Sequence, residues 1–359
     1  MWTITKREFR NYLKNPLWWA GLIVMICFLS QMLSPYLDLH YFQPGTEFAE
    51  LPVENLGDAD VMNGYIPSTR ERQMADTYRQ IGLLFTEEFG YSQEETDRMI
   101  AELEALEPSV PELDDWLAEH SPFCYSSARY LMDLNELHRG SAEEVNAYIS
   151  EKMSEHPYSY YLARKFADFG GLFMGFFAVV LLAFLYIRDT GRDTWELLHT
   201  KPVSPSAYIL GKVIGGFLSM LAALGILNLI FGVTGILAGN KHGLPVSFLD
   251  FPAASLLYII PNLLMIVCFY TIISLLFKSP YPAVPLLFLY QVYSNMGSRG
   301  PDGGYGYYGR PLAIMVRFPG RFLDTAPPPL VLWNQLFLVA ASAGIIGMSI
   351  RIWRRRRVY

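Results

Sequence analysis

Charge is scarce in this chain. Only 17% of its 359 residues are Asp, Glu, Lys or Arg, against about 25% in soluble globular chains, which argues against a single soluble domain. Cysteine is scarcer still. Three thiols cannot build a disulfide framework. Cys27 and Cys268 sit in apolar runs and read as small buried hydrophobes. Cys124, alone in a polar stretch, is compatible with any redox compartment. The six histidines, at 40, 120, 138, 156, 199 and 242, are scattered. HExxH, GxSxG and GxxxxGK[ST] do not occur, so the zincin helix, the serine nucleophile elbow and the nucleotide-binding P-loop are missing by motif. Glu94 and Glu95 read as a solvated helix face. No catalytic or metal site is expected.

The charges that exist are segregated. Residues 37–163 hold 26 of the 34 acidic and 7 of the 28 basic residues, a formal balance of −19, and the remainder carries +13. Two environments are implied.

The remainder is dominated by apolar runs. About 20 apolar residues, rising 1.5 Å each, cross a hydrocarbon core roughly 30 Å thick. Six stretches qualify to differing degrees: 17–36, 169–187, 210–238, 253–277, 281–296 and 330–353. The fifth is short and carries Pro282 and Pro285, which remove helix donors near its start. The first is too long for a cleaved signal core and reads as a retained span. The expected fold class is therefore all-α: a polytopic membrane protein with six transmembrane helices, an N-terminal interfacial helix, and a helical extracellular domain inserted between spans 1 and 2.

Orientation follows from Lys and Arg near the span ends. The N-terminus, the segment between spans two and three, Lys278 and the Arg-rich C-terminus all fall on one side if six spans cross. That side is expected to be the cytoplasm, with both termini there, in the plasma membrane. Arg299, Arg310, Arg317 and Arg321 in the loop after span five are outvoted.

Residues 37–163 then face outside. Ser92–Glu95, Ser109–Glu112 and Ser141–Glu144 each match a capping box, so a packed helical domain is expected. Its acidity serves either solubility or the binding of a cationic ligand or peptide; no nucleic acid is expected. The Gly-, Tyr- and Pro-rich loop 298–329 cannot be regular helix throughout. It reads either as an ordinary outside loop or as a re-entrant or membrane-surface segment, since 312–316 is apolar and Phe318 and Phe322 follow. The spans carry almost no ionisable groups; Asn228 and Asn262 are their main polar side chains and suit interhelical hydrogen bonds. Gly211 and Gly215 form a GxxxG, suited to close helix approach within one subunit or between two.

Two segments carry more character. The N-terminal run WTITKREFRNYLKNP interleaves Lys6, Arg7 and Arg10 with apolar residues such as Phe9, as an interfacial amphipathic helix does. Residues 188–202 are charged, then present Trp195, Leu197 and Leu198, then break at Pro202, like a short helix shaped for a partner's groove. Either segment could equally be a membrane-surface anchor.

Together they resemble the permease subunit of the second exporter class of ABC transporters. KREFRNYLKNP is similar to that family's elbow helix. DTGRDTWELLHTKPVSPSAYILGK is similar to its pattern between spans two and three, matching at Gly191, Glu196, Leu197, Leu198, Pro202, Val203, Ser204, Gly211 and Lys212. Asp189 stands where glutamate is usual, and Pro205 where a basic residue is expected. The likeness covers 1–36 and 165–359.

Three parts are expected: 1–36 as interfacial elbow helix and first span, 37–163 as the acidic helical extracellular domain, which the resemblance does not cover, and 164–359 as spans 2–6 with the coupling helix 188–202 and the irregular outside loop 298–329. The resemblance implies that Asp189, Gly191, Arg192, Trp195, Glu196, Leu197, Leu198 and Pro202 couple to a separate ABC ATPase dimer. This chain would bind no cofactor, with ATP and Mg on the partner. A second permease chain would complete a homodimer or heterodimer in the lipid bilayer. The cargo would be an amphipathic or apolar peptide, antibiotic or lipid, with an extracellular cationic peptide favoured weakly by the −19 domain. A membrane-bound receptor or immunity protein, binding a ligand without ATP, is the alternative.

Overall fold

A computed structural model describes residues 1–51, 59–122, 127–187, 189, 203–299, 305–306 and 309–356. The chain divides into two compact units. One comprises Met1–His40 with Lys152–Tyr359, the other Tyr41–Glu151.

In the first unit a helix, Trp2–Leu13, which is the expected interfacial helix and keeps that label below, precedes the long apolar helices. Five helices among the described residues are long and apolar enough to cross a bilayer: Pro16–Asp38, Tyr158–Ile187, Pro205–Lys241, Asp250–Phe277 and Val331–Arg355. We refer to them as the first to fourth spans and the last span. Local chemistry starts two of them. Asn15 caps the first, its side chain accepting from the Leu17 amide at 3.1 Å, with Pro16 in the first helical position. Ser204 caps the third, accepting from the Ala207 amide at 3.2 Å, and Pro205 opens that helix. A proline there sacrifices no intrahelical bond, because the first amides of a helix have no partner in it.

The fifth apolar stretch differs from the rest. It forms a helix of 13 residues, Ala283–Asn295, about 20 Å long at 1.5 Å per residue and short of a hydrocarbon core. Within the irregular segment that follows, Ala313, Ile314, Met315, Val316, Phe318, Phe322 and Leu323 are buried inside the unit. Non-helical backbone in an apolar setting needs partners for its carbonyls and amides, and neighbouring side chains supply them. Tyr290 and Tyr293 donate to the carbonyls of Leu312 (2.6 Å) and Pro311 (3.2 Å), and Asn334 to that of Ala313 (2.9 Å). The Ile314 amide donates to Ser294 at 3.0 Å. Lys165 donates to the Gly320 carbonyl at 3.0 Å and Arg164 to that of Thr325.

These contacts correct one expectation. The second span is not free of charge: its helix begins at Tyr158, eleven residues before the uncharged run, and carries Lys165 and Asp168 buried. A hydropathy window stops at the last charge, whereas the helix continues because Asp168 pairs with Arg317, which also donates to Asn295. Of the two span asparagines, Asn228 does reach across, donating to Ser255 at 2.9 Å. Asn262 donates only to the Tyr258 carbonyl in its own stretch, at 2.6 Å. Cys268 is buried, but Cys27 is exposed on the first span, where apolar surface suits lipid as well as a core.

The second unit holds four α-helices among the described residues, Arg70–Glu87, Gln93–Leu106, Val110–His120 and Ser127–Leu134, and most of a fifth, Ala142–Glu155, which runs past the unit's boundary at Glu151. A short antiparallel ribbon pairs Tyr65–Pro67 with Leu137–Arg139. Ile81, Phe85, Leu103, Leu113 and Leu117 are fully buried at its centre, each contributing about 1.5–3 kcal/mol by leaving water. Phe85 stacks on Trp116 with ring centroids 6.1 Å apart.

All three capping boxes are in place. The amides of Ser92, Ser109 and Ser141 donate to Glu95, Glu112 and Glu144 at 3.2, 2.8 and 2.8 Å. Accepting from the serine hydroxyl and then the serine amide holds the carboxyls of Glu95 and Glu112 below the usual carboxylate range. The folded state thus binds these protons more weakly than the unfolded chain. Their contribution is fully present above the ordinary carboxylate pKa, near pH 4.3, and lost as pH falls through the lowered values. Amide hydrogen exchange in Gln93–Leu106 and Val110–His120 should accelerate across that acid window. In the Ser92→Ala, Ser109→Ala double variant, exchange should already be faster at neutral pH and show less acid dependence.

Candidate functional site

The interfacial helix is placed by the sequence of its own buried face. Thr5 and Tyr12 point inward, Glu8 and Phe9 are half-buried, and Lys6, Arg7 and Arg10 are exposed. The helix lies against the third span. What allows the approach is the GxxxG. A Cβ at Gly211 would stand 2.8 Å from the Ile4 Cβ, and one at Gly215 would stand 2.6 Å from the Glu8 Cβ and 3.1 Å from the Thr5 carbonyl oxygen. Any larger residue would push the interfacial helix away. Gly216 faces the other way, towards Leu182 and Leu185 of the second span.

Between these glycines Lys212 enters a buried pocket; its side chain is 4% exposed. An ammonium has three donors and no acceptor, and Lys212 finds three acceptors. Glu8 Oε1 of the interfacial helix lies 3.0 Å away, the Leu185 carbonyl oxygen of the second span lies 2.9 Å away, and Asp189 Oδ2 completes the set. The Tyr208 hydroxyl donates to the same Asp189 oxygen at 2.8 Å, and the Tyr208 ring stacks on Trp353 of the last span at 4.1 Å. The Tyr186 ring lies 5.5 Å from the Lys212 ammonium, within cation–π range. Tyr12, on the interfacial helix, is buried beside this group. Burial, with Glu8 adding, pushes its phenol well above the usual range, so it stays neutral.

One lysine thereby joins the interfacial helix, the end of the second span and the start of the third. Asp189, the first acidic residue of the 188–202 segment, is held at this joint. Gly191, Arg192, Trp195, Glu196, Leu197, Leu198 and Pro202 lie outside the described residues. Glu8 and Tyr208 carry no weight in a motif reading, and Lys212 enters it only as a pattern match. The available signals were that Glu8 is the one acid in a basic run and that Lys212 is the one charge inside a long apolar helix, ahead of its terminal Lys241. No group of three or more His, Cys, Asp or Glu positioned for a metal occurs among the described residues.

The arrangement is a buried lysine–carboxylate bridge that ties the N-terminal helix to the second and third spans, in a protein whose several long apolar helices define its class as a multi-pass membrane protein. A family model described as ABC-2 family transporter protein matches residues 2–299, and the chain belongs to that family. It is a membrane permease of an ABC transporter, in a family whose members are transmembrane, generally non-catalytic components that partner an ABC ATPase in a lipid bilayer. No curated protein and no solved structure matches the chain.

Proposed function

We propose that this permease serves an ATP-driven exporter that moves an amphipathic or apolar cargo (a peptide, antibiotic or lipid) out of the cell. The observation that supports coupling most directly is the bridge Glu8–Lys212–Asp189. It gives any push on the 188–202 segment a rigid path into the interfacial helix and the third span. In this reading two ATPase subunits close on that segment. Trp195 and Leu198 fill a groove on the ATPase, and Glu196 and Arg192 pair with charges there. Two permease chains form the path. The short helix Ala283–Asn295 and the packed segment after it complete a sixth crossing. Both termini are then cytoplasmic, residues 37–163 are extracellular, and the membrane is the plasma membrane. The acidic unit favours a cationic peptide among the cargoes.

The test is co-purification with a nucleotide-binding ATPase, followed by ATP hydrolysis measured across candidate cargoes. Trp195→Ala and Glu196→Ala should each lower cargo-stimulated hydrolysis by about tenfold, the order expected for losing an interface anchor, with unchanged thermal stability of the permease. Normal coupled turnover in both variants would refute the assignment.

A further inference from the structure

The first unit contains a cleft of about 550 Å³, within the roughly 300–1,000 Å³ of small-molecule sites. Its walls come from the irregular segment (Leu312, Ala313, Val316) and from the first turns of the last span (Leu330, Trp333, Phe337). The lining is overwhelmingly apolar. Leu312 and Leu330 are two of only four non-glycine residues with positive φ among the described residues, at +58° and +59°. The chain holds that unfavourable backbone conformation at two residues of the cleft wall.

What occupies it follows from where it opens and what lines it. Leu330, Trp333 and Phe337 are 75%, 63% and 62% exposed. They continue the outward apolar surface of the last span, the surface a bilayer covers. Arg310, partly exposed, also lines the cleft. Its Nε and Nη2 donate to the carbonyls of Met296 (3.2 Å) and Gly297 (2.7 Å), and its guanidinium lies 5.2 Å from the Tyr293 ring. Nη1 makes no hydrogen bond among the described residues. Tyrosine and tryptophan at this level mark a headgroup boundary, and a guanidinium is the side chain best suited to a phosphate.

We propose that this cleft is a binding site for an anionic phospholipid of the surrounding membrane. An acyl chain lies along Val316, Trp333 and Phe337, and the headgroup phosphate meets Nη1 of Arg310. The site lies at the end of the last span remote from its Arg-rich terminus, hence in the outer leaflet; only this placement rests on the orientation proposed above.

The test uses the full chain alone, without ATPase or cargo, in phosphatidylcholine vesicles doped with phosphatidylglycerol that carries a diazirine near its acyl terminus. After photolysis, adducts are mapped by peptide mass spectrometry. Adducts should concentrate on the cleft residues over other exposed span residues such as Ile23 and Leu237. Unlabelled phosphatidylglycerol should displace them and phosphatidylcholine should not. Trp333→Ala, at an exposed position, should reduce them by about tenfold, as truncating one aromatic wall of a site does. Arg310→Gln should remove the headgroup preference and Arg310→Lys should restore part of it. Adducts spread evenly over Ile23, Leu237 and the cleft would mean bulk lipid contact and overturn the proposal. So would efficient cross-linking between two Leu330→Cys chains, which would assign the cleft to a second copy. Either failure leaves the exporter reading standing, because no coupling is measured.

Discussion

Replacing Lys212 with methionine is expected to destabilise the membrane unit by about 3–5 kcal/mol, the cost of breaking a buried ion pair by removing one partner. The reason is asymmetry. Glu8 and Asp189 both lean on one ammonium, and their side chains are only 12% and 15% exposed. Methionine fills similar volume, so little packing is lost. What remains is two carboxylates facing each other with the cation gone. Coulomb repulsion and desolvation then act in the same direction, while in the native protein they oppose. The measurement is the thermal unfolding midpoint of the purified chain in detergent. Adding Glu8→Gln and Asp189→Asn to Lys212→Met should recover most of the loss, because a fully neutral cluster carries no uncompensated charge. A triple variant as unstable as the single one would show that the loss is packing rather than charge.

Gly215→Val is expected to detach the interfacial helix while leaving the third span helical. Valine needs space that the Glu8 Cβ at 2.6 Å and the Thr5 carbonyl oxygen at 3.1 Å already occupy. Neither is the far end of a flexible chain. Both belong to the body of a helix that must translate outward, taking Glu8 away from Lys212. Thr5 is 1% exposed, so a Thr5→Cys thiol should resist a water-soluble maleimide in the parent chain. In the Gly215→Val background it should react as fast as a thiol at the exposed Lys6. Gly225→Val is the control, since a Cβ there would meet nothing within 4 Å. Loss of protection in that control would mean that the span, and not the contact, is at fault.

The legibility of this protein in its sequence is uneven, for physical reasons that particular residues display. The capping boxes at Ser92, Ser109 and Ser141 were readable because donor and acceptor are three residues apart and the geometry is that of one helical turn. Helices long enough to cross a bilayer were readable because hydropathy over 20 residues needs no knowledge of neighbours. The GxxxG was readable as a close contact but not as to its partner, since small residues admit any helix. Its partner here is a helix about 200 residues earlier in the chain. Lys165 and Asp168 escaped because a buried charge looks like a span boundary until its partner, Arg317, is known to fold back over it.

The same division holds for the site. Composition and spacing alone determine that this is a helical membrane protein with an amphipathic N-terminus and an acidic segment set apart; the pattern of Gly191, Pro202 and Ser204 acquires meaning only through the family resemblance. The former are properties of local period, transfer free energy and short-range hydrogen bonds. Only the tertiary structure decides that Glu8, Asp189 and Lys212 share one pocket, that Gly215 is small for the sake of the interfacial helix, and that Ala313–Val316, Phe318, Phe322 and Leu323 pack inside while side chains satisfy the carbonyls of Pro311, Leu312, Ala313, Gly320 and Thr325. Each of those depends on which side chains face one another across helices far apart in the chain. Packing and charge compensation settle that in three dimensions, and no window along the sequence contains both partners.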